Sequence, residues 1–302
     1  MFFGILGGLA AALINSADYL FSARFLIYYK SPVRLLIFSS VLMMLISLPA
    51  AFFLVPFSTI PCLWKFFAET ALASIFFLIG QGSFFAAMRF FEASRLSSLL
   101  CLKILVLSAI FMLSGNFLNC WQLLAVCIAA SAAVMFNWAG SKPVPWQGWL
   151  LLLSTLVGFS LTDMVETSLV RQIHEYSQFS QLRSALATVP MLYSALGILL
   201  LPGLFFYKPD KDQLIKSFPH AILWLVSQVF LLSCYAAVLP VFGNVILATR
   251  GIFSVIAGAM LPMFGLAALD SRIPVKLWIR RIAAAVMMLG AIALYSWAAM
   301  SQ

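Results

Sequence analysis

The sequence predicts an all-α integral membrane protein, with ten transmembrane helices arranged as two inverted five-helix repeats. Three observations carry this. Of 302 residues, 64% are hydrophobic and only 9% charged, against about 25% charged in an ordinary soluble domain. Such a chain must face lipid over most of its surface. The apolar residues fall into runs near the roughly 20 residues that a helix needs to cross a hydrocarbon core of about 30 Å. Polar markers then recur in order along the two halves: Gln81 and Gln228 lie 147 residues apart, as do Lys103 and Arg250.

Read by length and hydropathy, the spans are 2–22, 34–55, 67–89, 95–114, 119–139, 148–170, 182–206, 218–239, 243–267 and 276–298. The first opens on "MFFGILGGLAAAL". It has no basic leader, its apolar stretch is too long for a signal core, and no cleavage site follows, so it reads as a spanning helix. Arg34 opens the second span and Arg183 the seventh. Trp121 and Trp278 open the fifth and tenth. The connections "YYKSPVR", "VPFSTIPC", "SKPVPWQG", "YKPDKD" and "LDSRIPVK" are short and rich in turn formers, which leaves no room for a soluble domain. Residues 1–140 form the first repeat, 147–302 the second, and 141–146 the linker. Small residues in "GGLAAAL", "AASAAV" and "IAAAVMMLGAIAL" allow close helix approach, and Trp146, Trp149, Trp278 and Trp297 suit an interfacial aromatic belt.

The net charge of +9 does not point to nucleic acid, because the basic residues stand singly or in pairs between apolar runs. They read as topology signals. Thirteen of the 18 lysines and arginines fall on one side: Arg24, Lys30, Arg34, Arg89, Arg95, Lys142, Lys208, Lys211, Lys216, Arg272, Lys276, Arg280 and Arg281. Lys65, Arg171 and Arg183 fall on the other, and Lys103 and Arg250 lie within spans. The positive-inside bias makes the first side cytoplasmic and puts both termini outside, in a multi-pass protein of the cell inner (plasma) membrane. The five cysteines form no CxxC pair, so neither a disulfide framework nor a metal site is expected.

The halves share further markers. Asp18 matches Asp163, Arg34 matches Arg183 and Trp121 matches Trp278, with spacings that drift as loop lengths change. Five spans is an odd number, so the second copy enters the membrane upside down. Inverted repeats of this kind place a binding site near the midplane between the halves.

Together with the arginines opening spans 2 and 7, the segments "FFEASRLSSLL", "NCWQLLAVCIAASAAVMFNW" and "VKLWIRRIAAAVMMLGAIALYSW" make the chain resemble the drug/metabolite transporter superfamily, in particular its EamA-type carriers. The resemblance covers essentially the whole chain and implies ten helices, two inverted repeats and carrier activity. The run "LKILVLSAIFML…WQLLAV" is also similar to the fourth and fifth helices of nucleotide-sugar transporters. The chain departs from the EamA pattern by lacking proline near Lys103 and by reading "SGNFLN" where a Gly-Glu pair often follows helix 4.

A cation at the centre of a membrane helix costs about 2.5–3.5 kcal/mol on insertion scales. Lys103 and Arg250 should therefore face the bundle interior. From opposite halves they would attract a carboxylate or phosphate, or else pair internally with Asp18, Asp163 or Glu166. Asp163 and Glu166 share a helical face. Either of them or Asp18 is a candidate for a coupling proton, since burial favours the protonated form of a carboxyl, unless Asp163 and Glu166 are wet near the outer interface. Gln81, Gln228 and Asn244 are candidate substrate-binding groups, and membrane glutamines also hold helices together. His174 and His220 are read as lying at loop or helix ends.

The function these residues suggest is a secondary carrier for a small polar metabolite with an anionic group, such as an amino acid, a nucleotide-like compound or a sugar phosphate. Its partners would be that small molecule and the bilayer, with no nucleic acid, and the chain would act as a monomer. The alternatives are a lipid or lipid-linked-sugar flippase of the same superfamily and, further off, an intramembrane enzyme. No HExxH and no GxxxxGK[ST] motif occurs, so no metal, cofactor or ATP site is expected.

Overall fold

Two serines set where the second and seventh helices begin. Ser31 accepts a hydrogen bond from the backbone N–H of Arg34 at 3.4 Å, with Pro32 in the first helical position. Ser180 accepts one from the N–H of Arg183 at 3.3 Å. Each oxygen satisfies a donor that a helix start otherwise leaves bare. The helices before them end alike, in the left-handed residues Lys30 (φ 49°) and Gln178 (φ 54°). Their N–H groups close back onto Leu26 and His174, which terminates a helix and turns the chain.

The computed structural model describes residues 2–91, 96, 99–115, 117–137, 144–250, 253 and 275–300. Among the described residues there is no strand. The helices are α1 (Phe2–Tyr29), α2 (Pro32–Leu54), α3 (Leu63–Ala87), α4 (Lys103–Leu113, preceded by a 3₁₀ turn Leu100–Leu102), α5 (Cys120–Asn137), α6 (Trp146–Ser177), α7 (Gln181–Leu200), α8 (Lys211–Val238), α9 (Pro240–Leu247) and α10 (Val275–Met300). A single helical turn, Gly203–Phe206, follows α7.

Six of these, α1–α3 and α6–α8, are long and apolar enough to cross a membrane. Shorter apolar helical stretches occupy Leu100–Leu113, Cys120–Ala132 and Val286–Tyr295. Most of the expected ninth span lies outside the described residues, as do Arg95, Lys142 and Arg272 and parts of the segments around "FFEASRLSSLL" and "SGNFLN". Several helices outrun the expected boundaries. α1 continues past 22, α6 past 170, and α8 starts before 218. Hydropathy marks the apolar stretch, whereas helical hydrogen bonding continues through the polar turns beyond it.

The outer surface is strongly apolar. Phe52, Phe53, Trp64, Phe117, Phe205 and Phe206 stand out from it, Phe53 at 87% exposure. A water-facing surface does not carry apolar area on this scale. Trp146, Trp149 and Trp297 are exposed near helix ends.

The most extensive helix pairings are α1 with α8, α3 with α6, α2 with α7, and α5 with α10. At the α3–α6 crossing the backbones touch. A Cβ on Gly158 would stand 2.6 Å from the backbone nitrogen of Gly80, so only glycine fits there. Apolar packing gathers into two main bodies. One is formed by α1–α3 with α6–α8, the other mainly by α4, α5, α9 and α10. Most of the buried charge lies where the two bodies meet.

Candidate functional site

The helices that carry Lys103 and Arg250 are both interrupted just before the charge. The 3₁₀ turn Leu100–Leu102 gives way to α-helix at Lys103, so this lysine begins α4 and does not sit mid-way along a continuous helix. α9 stops at Leu247, Ala248 and Thr249 form a turn, and helix resumes at Arg250. The two interruptions touch: Cys101 Sγ donates to the carbonyl of Ala248 at 3.2 Å. A serine from the neighbouring long helix reaches each cation's backbone. Ser160 Oγ lies 3.5 Å from the carbonyl of Lys103, and Ser16 Oγ lies 3.0 Å from the carbonyl of Arg250. Carbonyls freed by a broken helix in an apolar medium need such donors.

Lys103 and Arg250 line one small cavity. Its wall also includes Asn15 and Tyr19 from α1, Asp163 and Glu166 from α6, and Gln228 from α8. Phe77, Phe159, Tyr193 and Trp224 close it with aromatic surface. Trp224 Nε1 donates to Tyr193 Oη at 2.7 Å, and the Phe77 ring meets Tyr193 and Trp224 edge-on at 5.7 and 5.5 Å. The open space is about 20 Å³, room for a single water. The described residues leave no room there for a larger ligand.

The two cations have different environments. Lys103 Nζ binds Asp163 Oδ2 at 2.7 Å. The same oxygen accepts from Tyr235 Oη and Asn244 Nδ2, each at 2.7 Å. Three donors on one oxygen offset much of the cost of burying that charge. Arg250 is equally buried, yet among the described residues no carboxylate lies within ion-pair distance of it. Its terminal nitrogen Nη1 donates to Tyr19 Oη at 3.2 Å, and its Nε has no hydrogen-bond partner among the described residues.

The expected alternatives divide accordingly. Lys103 is paired internally and Arg250 is not. Asp163 and Glu166 are buried, not wet at an interface, because α6 continues well beyond them. Glu166 faces the cavity without an ion pair among the described residues. Gln228 lines the cavity. Gln81 does not, and both its polar atoms are buried without a hydrogen-bond partner among the described residues. Asn244 is central, holding Asp163. Asp18 lies off the cavity wall and meets His220, Nδ1 to Oδ1 at 2.6 Å.

His220 corrects the sequence reading most sharply. It lies inside α8 and is 1% exposed, because that helix begins at Lys211 and Pro219 does not end it. Tyr19, Tyr235, Trp224 and Asn15 were also absent from the sequence candidates. Tyr235 and Trp224 read as ordinary apolar-helix aromatics, and the packing of α8 against α3, α6, α7 and α9 places them inward.

No family model matches the chain, and no curated protein matches it. A solved structure carrying only the description "Crystal structure of protein" is similar over 96% of this chain and 95% of its own, with a TM-score of 0.62 at 14% identity. At that identity the likeness concerns the fold alone.

Proposed function

We propose that the chain is a secondary carrier of the drug/metabolite transporter type that moves a small polar metabolite through its anionic group, by alternating access between two inverted five-helix repeats. The carrying observation is Arg250: a buried guanidinium that faces the cavity with a bare Nε and no carboxylate partner among the described residues. An unpaired buried cation is costly, and a substrate carboxylate or phosphate would supply the missing counter-charge as a forked hydrogen-bond acceptor.

Exchange symmetry supports the repeat. Swapping the halves turns the α1–α8 pairing into α6–α3 and leaves α2–α7 and α5–α10 unchanged. The Ser31 and Ser180 caps, the left-handed Lys30 and Gln178, and the bonds of Ser16 and Ser160 to the two cation-bearing segments obey the same exchange. Broken helices that meet beside a charged cavity are a recurring transporter device.

The closed cavity requires the paired helices to part before a substrate can enter. Each pair is latched at one end. Tyr29 donates to Asp212 between α1 and α8, and Gln172 donates to Glu69 between α6 and α3. Release of one latch at a time would open one side of the membrane and then the other.

The test is uptake into proteoliposomes of a labelled amino acid, a nucleoside monophosphate and a sugar phosphate, alongside a lipid-translocation assay. Saturable uptake of an intact anionic compound, abolished by Arg250→Ala in a correctly inserted variant, is the expected result. Lipid movement without metabolite uptake, or a chemically altered product, overturns it.

A further inference from the structure

Asp18 and His220 form a second buried polar site, separate from the Lys103–Asp163 pair. Asp18 Oδ1 lies 2.6 Å from His220 Nδ1, which also lies 2.9 Å from Ser22 Oγ. The two residues are 0% and 1% exposed. Asp18 Oδ2 is buried with no hydrogen-bond partner among the described residues. An aspartate charge beside a neutral imidazole would leave that oxygen naked in a dry site, at heavy cost. The bare Oδ2 fits a neutral pair, which holds one proton between Nδ1 and Oδ1 in addition to a proton on Nε2.

The surroundings connect this proton to the cavity by two short routes. The His220 ring is 6.0 Å from Trp224, one turn along α8, and Trp224 is part of the cavity wall. Asp18 shares a turn of α1 with Tyr19, whose hydroxyl takes the hydrogen bond from Arg250. The titratable groups around the pair are Tyr19 on α1, Tyr193 on α7, Arg250 after α9 and, across the cavity, Asp163, Glu166 and Lys103. Asp18 acts electrostatically on both Tyr19 and Tyr193. α3 presents Phe84, Phe85 and the neutral Gln81, with Phe85 5.4 Å from the imidazole. On α2 the nearest charged group is Arg34 at the helix start, bonded to Gln213.

On the carrier reading above, we infer that Asp18 and His220 are the proton site of the carrier, and that proton and substrate anion are bound in the same state, so that the cycle is proton–anion symport. With the proton in place the pair is neutral and Arg250 is free to take the substrate anion. When the proton leaves to water, a buried carboxylate remains on the same turn of α1 as the tyrosine that holds Arg250. That carboxylate puts a negative charge directly behind Tyr19 in the cavity wall and repels the substrate anion. Protonation of the pair and anion binding at Arg250 thus favour one another, and the coupling is reciprocal.

The first test needs only the proton. Infrared difference spectra of the full-length protein in liposomes, recorded between acid and alkaline buffers, should show coupled carboxyl and imidazole bands. Both should vanish in Asp18→Asn and both should change in His220→Gln, with folding checked by thermal unfolding. Identical difference spectra in wild type and both variants overturn the assignment. The second test drives uptake of the same labelled amino acid, nucleoside monophosphate and sugar phosphate with an alkaline interior. Wild type should accelerate about 5- to 150-fold, the range of typical coupling energies, and both variants should lose that acceleration. An equal acceleration in the variants removes the pair from coupling. If no compound is taken up by the wild type, the carrier reading fails while the spectra still decide whether the pair binds the proton.

Discussion

Lys103 Nζ lies 2.7 Å from Asp163 Oδ2, with both side chains buried. The pair joins α4 to α6 across the interface between the two packed bodies, and Tyr235 and Asn244 bring α8 and α9 to the same oxygen. Removing one partner strands the other in a dry site. Asp163→Ala should therefore cost about 3–5 kcal/mol, read from the unfolding of detergent-solubilised protein. The double variant Lys103→Met with Asp163→Leu should lose clearly less than the sum of its parts, because it leaves no bare charge. A single-variant cost below about 1 kcal/mol would mean that water reaches the lysine and solvates it.

Arg250 is where charge and geometry can be separated. Arg250→Lys keeps the positive charge but replaces a planar fork by a point charge. An anion held by that fork should bind about 10- to 100-fold more weakly in the variant, as expected from losing one charge-assisted hydrogen bond worth about 1.5–3 kcal/mol. Competition by unlabelled substrate in the uptake assay gives the ratio directly. Equal affinity in the two proteins would place the anion elsewhere.

Hydropathy was enough to locate the apolar part of the described helices and to single out Lys103, Arg250, Asp163, Glu166 and Gln228, all of which line one cavity. A charge in an apolar run has to be accommodated inside, so its position is informative without a structure. Partnerships were not legible in the same way. The matched spacing of Asp18 and Asp163 implied equivalent roles, yet Asp163 meets a lysine and Asp18 a histidine. That difference comes from His220, whose counterpart by the 147-residue spacing of Gln81 and Gln228 is an apolar alanine, Ala73. Helix ends misled for a related reason: hydropathy starts the eighth span at 218, where the apolar run begins, but the helix reaches back through the charged turn to Lys211 and runs on through Pro219, so His220 lies inside α8. The serines at 31 and 180 carried a legible signal that was passed over, since a serine three residues before each arginine marks both helix starts.

Glycine positions on α3 and α6 give contrasting expectations. Gly158→Leu must push a side chain into the Gly80 backbone, from which even a Cβ would stand only 2.6 Å. It should destabilise by about 1–3 kcal/mol or more. Gly82 has room, since a Cβ there would meet only Leu36 Cδ2 at 3.6 Å. Gly82→Ala should be neutral or stabilise by up to about 1 kcal/mol through helix propensity. Thermal midpoints of the two variants should move in opposite directions or differ by several degrees. Equal shifts would show that the α3–α6 crossing is looser than the backbone contact implies.

Orientation in the membrane is the last expectation with a direct measurement. The α1–α8 latch brings Tyr29 together with Asp212 and Lys216, and Lys30, Arg34, Lys208 and Lys211 lie at that same end. The α6–α3 latch at the opposite end has only Lys65, Arg171 and Arg183 for company. The charge asymmetry predicts that the Tyr29 end is cytoplasmic. Cys62, Cys120 and Cys127 are exposed, so labelling needs a cysteine-free background. In that background Lys208→Cys should react with an impermeant maleimide only after cells are permeabilised, and Thr59→Cys should react on intact cells. The reverse pattern would put the Glu69–Gln172 latch inside, and would exchange which of the two latches must break to admit a substrate from the cytoplasm.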